Sequence, residues 1–433
     1  LAAEQGQIEK SVGPQLGKLN GELKKAAAPE ARSALEAQIA ELRAKPAAIK
    51  AKVQALEEQE KAIEPALQAL LLSIPLPPDA DVPVGKGSED NVELSKWGPS
   101  GWDYGKGFEA LRGFKPKSHI ELCRDLGLVD FPRGVKMSGT RSYVLTGMGM
   151  LLHQAILRYA VDFMVHKNGF KPMSVPVLVR EECMVGTGFF PAGREQAYHI
   201  NESVRQNADA AHGEASTAHD LYLTGTGEVG LMGLHQDEIL DESQLPLKYV
   251  TVSTCFRREA GAAGKDTAGL YRVHVFDKVE QVVICRNDET ESRRWHKTML
   301  GYVESLLQSL ELPYRLLQCC TGDLGVKNAD MIDVECWMPG RAGDDGAMGA
   351  FGETHSASRL YDFQCRRLNM RYKSSDPAGG GVKHTVFCHS LNNTVAASPR
   401  LMIPILEMHQ QKDGTVSVPK ALRPYMGGVE VIG

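Results

Sequence analysis

Two charged segments flank a glycine-rich loop near the middle of the chain. The loop AGAAGKDTAG, residues 260–269, follows Arg257 and Glu259 and precedes Arg272 and Glu280. If the flanking segments are adjacent antiparallel strands, their side chains alternate with period two and these four charges share one face. Arginine binds phosphate and carboxylate groups bidentately, and carboxylates can hold an amine or a metal ion. The four charges therefore suit a triphosphate site.

The segment after the loop, GLYRVHVFDKVE at residues 269–280, adds an aromatic ring to the charged face. An extended chain would carry on one face Arg272, His274, Phe276, Lys278 and Glu280, and on the other Tyr271, Val273, Val275 and Val279. A phenylalanine among charges is a good platform for a base. An exposed ribbon of salt bridges fits the same pattern equally well. The residue types alone leave both interpretations open.

The composition is that of an ordinary soluble globular protein. The chain has 433 residues, 42% of them hydrophobic and 24% charged, which suggests two or three domains. Its net charge of −5 argues against attachment to nucleic acid through bulk positive charge, although a local basic groove remains compatible. Because the sequence contains no apolar run long enough to span a bilayer, we predict no membrane insertion.

The cysteines and the first residue of the chain indicate in which cellular compartment the protein works. The nine cysteines form no C-x-x-C pair, and several lie in apolar runs such as VVIC and LLQCC. Such cysteines behave as small hydrophobic residues, so we predict a reducing compartment and no structural zinc. The chain begins at Leu1 rather than Met, and we expect an upstream segment; a removed targeting peptide would explain it.

Residues 1–74 have the pattern of a helical hairpin. Apolar residues follow an alternating four-three step typical of a coiled-coil seam at Leu35, Ile39, Leu42, Ile49, Val53, Leu56, Ile63, Leu67, Leu70 and Ile74. A shorter helix precedes this one, the turn lies near Pro29, and we predict that the two helices pair antiparallel. Pro46 and Pro65 lie inside the second helix, where proline produces kinks. The arm has ten basic and ten acidic residues, so its charge alone does not make it an RNA-binding element.

The remainder of the chain reads as a linker followed by a mixed domain. Residues 74–91 are rich in proline and glycine, as linkers are. We predict helices over 118–131, 146–170 and 290–310, and strands over 175–179, 221–231, 248–259, 270–284 and 332–338. Strands that follow one another without a crossover helix indicate antiparallel pairing and an α+β fold. The polar, alanine-rich residues from about 201 to 220 are predicted to form a surface insertion.

The charged hairpin also carries a family resemblance. STCFRREAGAAGKDTAGLYRVHVFDKVE resembles motif 2 of class II aminoacyl-tRNA synthetases, most closely that of seryl-tRNA synthetases. VPVLV, with Pro176, looks like the end of motif 1, and LTGTGEVGLMGLHQDEIL resembles the family's strand-borne T-x-E segment. CCTGDLG, FGETHSASRLYDFQCRRLNMRY and HSLNNTVAASPRLMIPILEMHQQ match later blocks, the last being motif 3. The resemblance covers nearly the whole chain and fits the bacterial and organellar branch best.

The resemblance implies an architecture and a reaction. It implies a class II antiparallel sheet flanked by helices over 118–433, a linker over 75–117 and a coiled-coil tRNA arm over 1–74, N-terminally incomplete. The implied enzyme joins serine to ATP, giving seryl-adenylate, and transfers the seryl group to serine tRNA, which the arm grips. Implied cofactors are ATP and Mg²⁺, and the implied assembly is a homodimer formed through motif 1 around Pro176. The implied location is the mitochondrial matrix or another organelle, with the cytoplasm as the alternative.

The resemblance also assigns the residues of the ATP site. Arg257 would bridge the α-phosphate and the serine carboxylate, while Arg272 and Arg400 would hold the β- and γ-phosphates. Arg257 and Arg400 are thus the implied catalytic residues, because they stabilise charge on the reacting phosphorus. Arg400 would also cover one face of the adenine ring.

Four more residues complete the implied ATP site. Glu259 would accept a hydrogen bond from the adenine amino group, and Phe276 would stack on the ring. Glu353 and Ser356 match the positions that bind Mg²⁺ and ATP.

The serine pocket is assigned in the same way. Thr226 and Glu228 match the residues that hold the α-ammonium group of serine, and Glu280 and Thr394 those near its hydroxyl group. Asn392 is a neighbour, and Arg257 holds the carboxylate. Hydrogen bonding suits selection of serine over alanine, because alanine would leave buried polar groups unpaired. We assign no catalytic role to His274 or Lys278, since the implied chemistry needs no base.

Several positions depart from the family pattern, and they support two other hypotheses. Gly227 stands where alanine is usual, Gly230 replaces a proline, Ala268 an arginine, Val275 a glutamine and Arg359 an asparagine. These changes raise the alternative of a retired paralogue that serves as a structural or RNA-binding subunit of a larger assembly. The six retained charges in the implied site argue for an active enzyme. A ligase that loads serine onto a carrier protein is a third hypothesis, which the presence of the arm disfavours.

Overall fold

The computed structural model describes residues 2–201, 220–262, 264, 266–343, 348–375 and 384–433, with the backbone alone at 2–11 and 45–49. The chain divides into two compact units, Leu1–Ile74 and Pro75–Gly433. Most of the insertion expected near 201–220 lies outside the described residues. None of the helices that the described residues form combines the length and the apolar character needed to cross a membrane.

The first unit is a pair of helices. α1 (Ala2–Lys25) and α2 (Pro29–Ser73) pack against each other across a three-residue turn, as the heptad pattern predicts. Val12 and Ile39 are buried between them. The backbone of α2 is helical through both predicted proline positions, and α1 contains a further proline at position 14.

The two helices differ in length, and this difference leaves an apolar seam uncovered. At about 1.5 Å per residue, α1 spans roughly 36 Å and α2 roughly 68 Å. The exposed seam residues are Leu56, Ile63, Leu67 and Leu70 of α2, and Ile74 directly after it. α1 therefore covers only the N-terminal half of the predicted seam.

The second unit contains nine helices among the described residues and eighteen strands. Its helices are α3 (Gly107–Arg112), α4 (His119–Asp125), α5 (Phe131–Ser138), α6 (Gly147–Asp162), α7 (Glu181–Gly186), α8 (Glu228–Gly233), α9 (Glu289–Ser309), α10 (Phe363–Arg367) and α11 (Met402–His409). Its first nine strands are β1 (Val92–Trp97), β2 (Val129–Asp130), β3 (Val144–Leu145), β4 (Lys171–Met173), β5 (Leu178–Arg180), β6 (Tyr198–Ile200), β7 (Leu221–Leu223), β8 (Ile239–Asp241) and β9 (Leu247–Phe256). The others are β10 (Val275–Cys285), β11 (Tyr314–Gln318), β12 (Asp330–Ala342), β13 (Met348–Tyr361), β14 (Arg371–Ser374), β15 (His384–Phe387), β16 (His389–Ser398), β17 (Val416–Ser417) and β18 (Val431–Ile432).

An eight-stranded sheet organises the second unit. Its strand order is β1-β11-β12-β13-β16-β10-β9-β4, and every pair is antiparallel except β4–β9. This confirms the predicted α+β fold. β1 forms one edge of the sheet, so the stretch 75–117, expected to be a linker, contributes a strand to it.

The two faces of the sheet have different roles. α6, α9 and α11 pack against the central strands, and their apolar side chains share one core with Val279 and Val283 of β10. Because side chains alternate along a strand, Phe276, Lys278 and Glu280 point to the opposite face. The helices thus form the main hydrophobic core on one side, while the other side carries the polar residues of β10 next to a second apolar cluster that includes Val282 and Ile284.

Most of the predicted helices and strands are present, but several of their ends were wrong. The helix predicted over 118–131 was wrong beyond Asp125, because β2 and α5 follow it. α4 begins at a capping box made by Ser118 and Glu121, α6 continues into a π-helical turn over Phe163–Lys167, and α9 nearly matches the predicted 290–310. The strand predicted over 221–231 was wrong beyond Leu223, because α8 begins at Glu228. The motif that contains Thr226 is therefore a bend leading into a helix, and it is not strand-borne.

Candidate active site

Two adjoining cavities open on the polar face of the sheet. The smaller is lined by Arg257, Glu259, Leu270, Tyr271, Val273, Phe276, Lys278, Glu353, Thr354, Thr394, Ala397, Pro399 and Arg400. The larger is lined by Met184, Phe189, Gly193, Gln196, Ala197, Gly225, Phe256, Arg257, Glu259, Ala260, Ala262, Arg272, Glu353 and Arg400. Both cavities share Arg257, Glu259, Glu353 and Arg400. All the residues assigned to ATP except Ser356 therefore line one cavity or both.

The hairpin that supplies these residues differs from the predicted pair of strands. β9 ends at Phe256 and β10 begins at Val275, so neither Arg257 nor Arg272 lies on a strand. Glu259 has a left-handed backbone, with φ of 54°, which turns the chain out of the sheet. The interpretation of residues 269–274 as an alternating strand was wrong. Tyr271 and Val273, predicted to face away from the charges, both line the smaller cavity.

The cations of the cavities lie against aromatic rings and carboxylates. The guanidinium of Arg257 lies over the Phe276 ring, 5.2 Å from its centroid. Arg272 Nη1 donates to Glu259 Oε2 at 2.8 Å. This ion pair is half-buried and spans the two arms of the hairpin, so the two side chains hold each other at the edge of the larger cavity.

Arg400 and Tyr271 form a second stack. The Arg400 guanidinium is 4.6 Å from the centroid of the Tyr271 ring, and that of Arg341 is 4.1 Å from it. Arg400 Nε also donates to the Tyr271 carbonyl at 3.0 Å, and its Nη1 lies 3.6 Å from Glu353. The Tyr271 ring, the Tyr271 carbonyl and Glu353 therefore fix the position of the Arg400 side chain, which lines both cavities.

The residues assigned to serine form a buried cluster beside the smaller cavity. Asn392 Nδ2 donates to Glu228 Oε1 at 2.7 Å, and Thr394 Oγ1 lies 3.4 Å from Glu280 Oε2. Thr226, Glu228 and Glu280 are each at most 3% exposed. Of these five residues, Thr394 is the one found among the described residues lining a cavity. The structure thus brings the predicted set together and closes it from solvent.

Two lysine ammonium groups complete this cluster. Lys278 Nζ lies 2.5 Å from Glu280 Oε2 and donates to Thr226 Oγ1 at 2.8 Å. Lys327 Nζ donates to both carboxylate oxygens of Glu228, at 2.9 and 2.8 Å. Burial raises the pKa of Glu280, and the Lys278 ammonium opposes that rise. Each buried carboxylate therefore has an ammonium partner.

The positions assigned to Mg²⁺ offer oxygen ligands. Glu353 is half exposed at the cavity, and Ser356 lies opposite Asp333 in the β12–β13 ladder. Asp333 Oδ1 is buried without a hydrogen-bond partner among the described residues. Burial and the neighbouring Glu353 carboxylate raise the pKa of Asp333 to about 8. Carboxylate and hydroxyl oxygens are ligands that Mg²⁺ accepts, so these residues fit the ion.

The family departures have local explanations outside the cavity surfaces. A Cβ on Gly227 would lie 2.4 Å from Thr251 Cγ2, and one on Gly230 would lie 2.6 Å from Val175 Cγ2. Both glycines therefore accommodate close neighbours. Ala268 and Val275 are exposed and are not among the described residues that line the cavities.

Arg359 serves a buried ion-pair network. Its side chain is 3% exposed and pairs with Asp79 and with Asp330, the latter at 2.9 Å. Tyr361 also donates to Asp79, at 2.8 Å. Arg359 therefore joins the N-terminal stretch of this unit to the sheet, and it is not among the described cavity residues.

The comparisons with known proteins agree with this geometry. The model of the tRNA synthetase class II core domain (G, H, P, S and T) matches residues 213–409. A serine–tRNA ligase from Deinococcus radiodurans is 44% identical over 370 residues, which are 86% of this chain and 78% of the relative. The chain belongs to the serine–tRNA ligase family. Another member, from Thermomicrobium roseum, is 40% identical over 85% of this chain and 74% of its own length.

Solved structures of serine–tRNA ligases share the fold. The seryl-tRNA synthetase from Pyrococcus horikoshii, complexed with ATP, has a TM-score of 0.75 and 35% identity, covering 100% of this chain and 91% of that one. The cytoplasmic serine–tRNA ligase from Naegleria fowleri, in complex with AMP, has a TM-score of 0.78 and 29% identity, with 100% and 88% coverage. The predicted family and fold class are both confirmed.

Sequence reasoning missed four residues of this family member's site. Tyr271 was assigned to the wrong face of an assumed strand, and Lys278 was recognised on the charged face without a partner. Gln364 donates to Glu228 Oε1 at 2.6 Å, and Lys327 comes from a loop 99 positions away from Glu228. Gln364 lies in the block FGETHSASRLYDFQCRRLNMRY, and Lys327 lies two residues after the block CCTGDLG; neither place indicates which residue the side chain pairs with.

Proposed function

We propose that this protein ligates serine to serine tRNA at the expense of ATP, through a seryl-adenylate intermediate. The observation that carries this proposal is the cavity pair lined by Arg257 and Arg400, with the buried cluster of Thr226, Glu228 and Glu280 directly beside it. A nucleotide in the cavities and an amino acid at the cluster would meet near Arg257. The alternative of a retired paralogue has no observation in its favour, since the departures lie outside the cavity surfaces.

The first step needs alignment of two anions and stabilisation of charge. The serine carboxylate attacks the α-phosphate, and pyrophosphate leaves. Arg257 would contact both anions, which would lower their mutual repulsion and hold them in line. Arg400 would neutralise charge that develops as the phosphate bonds change. No side chain needs to form a covalent intermediate.

The aromatic rings and carboxylates would bind the nucleotide. Adenine would lie between Phe276 and the Arg400 guanidinium, with Glu259 accepting from its amino group. Arg272 would bind the β- and γ-phosphates, and its guanidinium group would then donate hydrogen bonds to both Glu259 and phosphate. Bound Mg²⁺ would neutralise phosphate charge, held by Glu353 and Ser356.

The buried cluster would select serine. Glu228 and Thr226 would take the α-ammonium group, Asn392 would support Glu228, and Glu280 and Thr394 would bind the hydroxyl group. Alanine has no hydroxyl, so it would leave the Glu280 side of the pocket without a partner, and such a loss discriminates strongly.

The helical hairpin and the assembly belong to the same proposal. α1 and α2 would form a coiled-coil arm that grips the long variable arm of serine tRNA through its backbone and shape. Binding of serine tRNA to this arm should weaken as the salt concentration rises and be lost when residues 1–74 are deleted.

Two copies of the chain would form a homodimer through the motif around Pro176. Light scattering should then give a mass of twice the 47.3 kDa of one chain.

An organellar location, the mitochondrial matrix first, completes the proposal, with the cytoplasm as the alternative. It rests on the resemblance of the motifs to the bacterial and organellar branch of the family. Fractionation of the source cells tests it, since recovery in the cytosol alone would reject it.

Aminoacylation with labelled serine tests the activity itself. We expect ATP-dependent transfer of serine to serine tRNA, reduced at least about 100-fold by Arg257→Ala because the bridge between the two anions is removed. Arg258→Ala is the matched control, since Arg258 is exposed and is not among the described cavity residues. Transfer that is absent from the wild type, or equal in Arg257→Ala, contradicts the proposal.

A further inference from the structure

The Glu228 carboxylate, which is assigned to the α-ammonium group of serine, already binds the ammonium group of Lys327. Lys327 Nζ bonds to both oxygens of Glu228, and Gln364 and Asn392 donate to Oε1 at 2.6 and 2.7 Å. Oε1 therefore accepts three hydrogen bonds and Oε2 accepts one. A carboxylate oxygen offers about two lone pairs. Only Oε2 retains an acceptor position for a further donor.

The charges of the cluster already balance. Glu228 and Glu280 provide two negative charges, and Lys327 and Lys278 provide two positive charges, all on side chains that are at most 14% exposed. Serine brings its own carboxylate, which Arg257 is placed to take. Its α-ammonium group would then be a third buried cation for two carboxylates, and an uncompensated buried charge is costly.

Lys327 is better placed to leave than Lys278. The Lys278 side chain is on a central strand, is 7% exposed and bonds to both Thr226 and Glu280. The Lys327 side chain is 14% exposed and comes from the loop before β12. Its ammonium also lies 3.9 Å from the centroid of the Phe189 ring, a contact that does not depend on Glu228.

We propose that Lys327 competes with the α-ammonium group of the amino acid for Glu228, so that serine binds when the Lys327 ammonium leaves this carboxylate. The inference rests on the proposed function, because it takes serine as the ligand of the cluster. In this role Lys327 weakens the binding of every amino acid. An amino acid binds only if its own ammonium group is placed so that it displaces the Lys327 ammonium from Glu228. It does not touch the reacting phosphate.

The test is the KM for serine in ATP–pyrophosphate exchange by Lys327→Met. Methionine has a similar volume and no charge, so Glu228 keeps Gln364 and Asn392 and gains a free position for serine. We expect the KM for serine to fall about tenfold or more, because serine no longer has to displace the Lys327 ammonium from Glu228, and the KM for ATP to stay within about twofold. An unchanged or increased KM for serine overturns the competition.

An inhibitor that lacks the ammonium group separates competition from a structural effect. The Ki of 3-hydroxypropanoate should be the same in wild type and Lys327→Met, because this acid does not need Glu228. A Ki that falls together with the KM for serine would show a general opening of the pocket and overturn the proposal. Lys248→Met is the matched control, since Lys248 is also partly buried and lies over the Phe170 ring, while its ammonium bonds to the Asn168 carbonyl.

A second variant decides the question if Lys327→Met does not fold. Lys327→Arg keeps the charge and can grip Glu228 bidentately, so the KM for serine should rise several-fold. An equal or lower KM in Lys327→Arg rejects the proposal. Absence of serine-dependent exchange in the wild type would instead reject the proposed function, so the two failures are distinguishable.

Discussion

Replacing Glu280 with glutamine tests the buried cluster at its most enclosed point. Glu280 is 1% exposed, and its partner Lys278 is 6% exposed, so the pair has little access to water. Glu280→Gln keeps the size of the side chain but leaves the Lys278 ammonium without a carboxylate, so that its acceptors are neutral: Thr226 Oγ1 and the new amide oxygen. Removing one partner of a buried ion pair costs about 3–5 kcal/mol. Since the amide oxygen still accepts a hydrogen bond, we expect a loss near the lower end, about 3 kcal/mol, in the free energy of unfolding.

The double variant Lys278→Met/Glu280→Gln separates the contribution of the ion pair to stability from the contributions of the two single residues. Replacing both charges leaves no unpaired ion, so most of the loss should be recovered, with a coupling energy of at least about 2 kcal/mol in urea unfolding. Arg366→Met is the control, because Arg366 pairs with Asp362 on the surface and should cost at most about 1 kcal/mol. A coupling energy below about 0.5 kcal/mol would refute the ion pair.

The same variants should change substrate choice. Both lack the Glu280 carboxylate, so the ratio of kcat/KM for serine to that for alanine should fall at least about tenfold in pyrophosphate exchange, even where stability is recovered. A double variant that regains stability and also keeps the wild-type ratio would show that Glu280 does not recognise the hydroxyl group.

Two further predictions concern the Arg359 network. Arg359→Asn introduces the residue that is usual in the family. It should lower the free energy of unfolding in urea by about 3 kcal/mol, because Asp79 and Asp330 lose a buried cation, while the KM for ATP stays within about twofold. A loss below about 1 kcal/mol would contradict the network. Burial alone would raise the pKa of Asp330, but the hydrogen bond and charge of His296, with Gln318 and Arg359, lower it to about 2. Because this pKa lies below the unfolded value of about 3.9, the stabilisation is present above about pH 4 and is lost as pH falls towards 2. The difference in unfolding free energy between wild type and Asp330→Asn should therefore shrink over that range, and a constant difference would contradict the assignment.

The parts of the site that the sequence predicted are those with a motif or a periodic pattern. The helices have regular spacing and clear caps, such as Ser118 before α4, and local interactions determine them. Arg257, Glu259, Glu353 and Arg400 were placed by blocks that resemble a family, and the fold brings them to the same two cavities.

The errors arose where the backbone leaves a regular element. Alternation was extended through residues 269–274, but the left-handed turn at Glu259 and the glycine-rich loop take the hairpin out of the sheet, so Tyr271 lies in the cavity. Local patterns also contain no information on contacts between distant segments. The pairing of Lys327 with Glu228 requires the loop before β12 to meet the start of α8, which only the folded chain shows.

The most direct measurement of the central claim is ATP–pyrophosphate exchange by the purified full chain with serine, alanine or no amino acid. We predict exchange that requires serine and ATP and is much weaker with alanine. It should stop when Mg²⁺ is chelated and resume when Mg²⁺ is restored. Exchange at the background rate with serine, or equal exchange with serine and alanine, would contradict it.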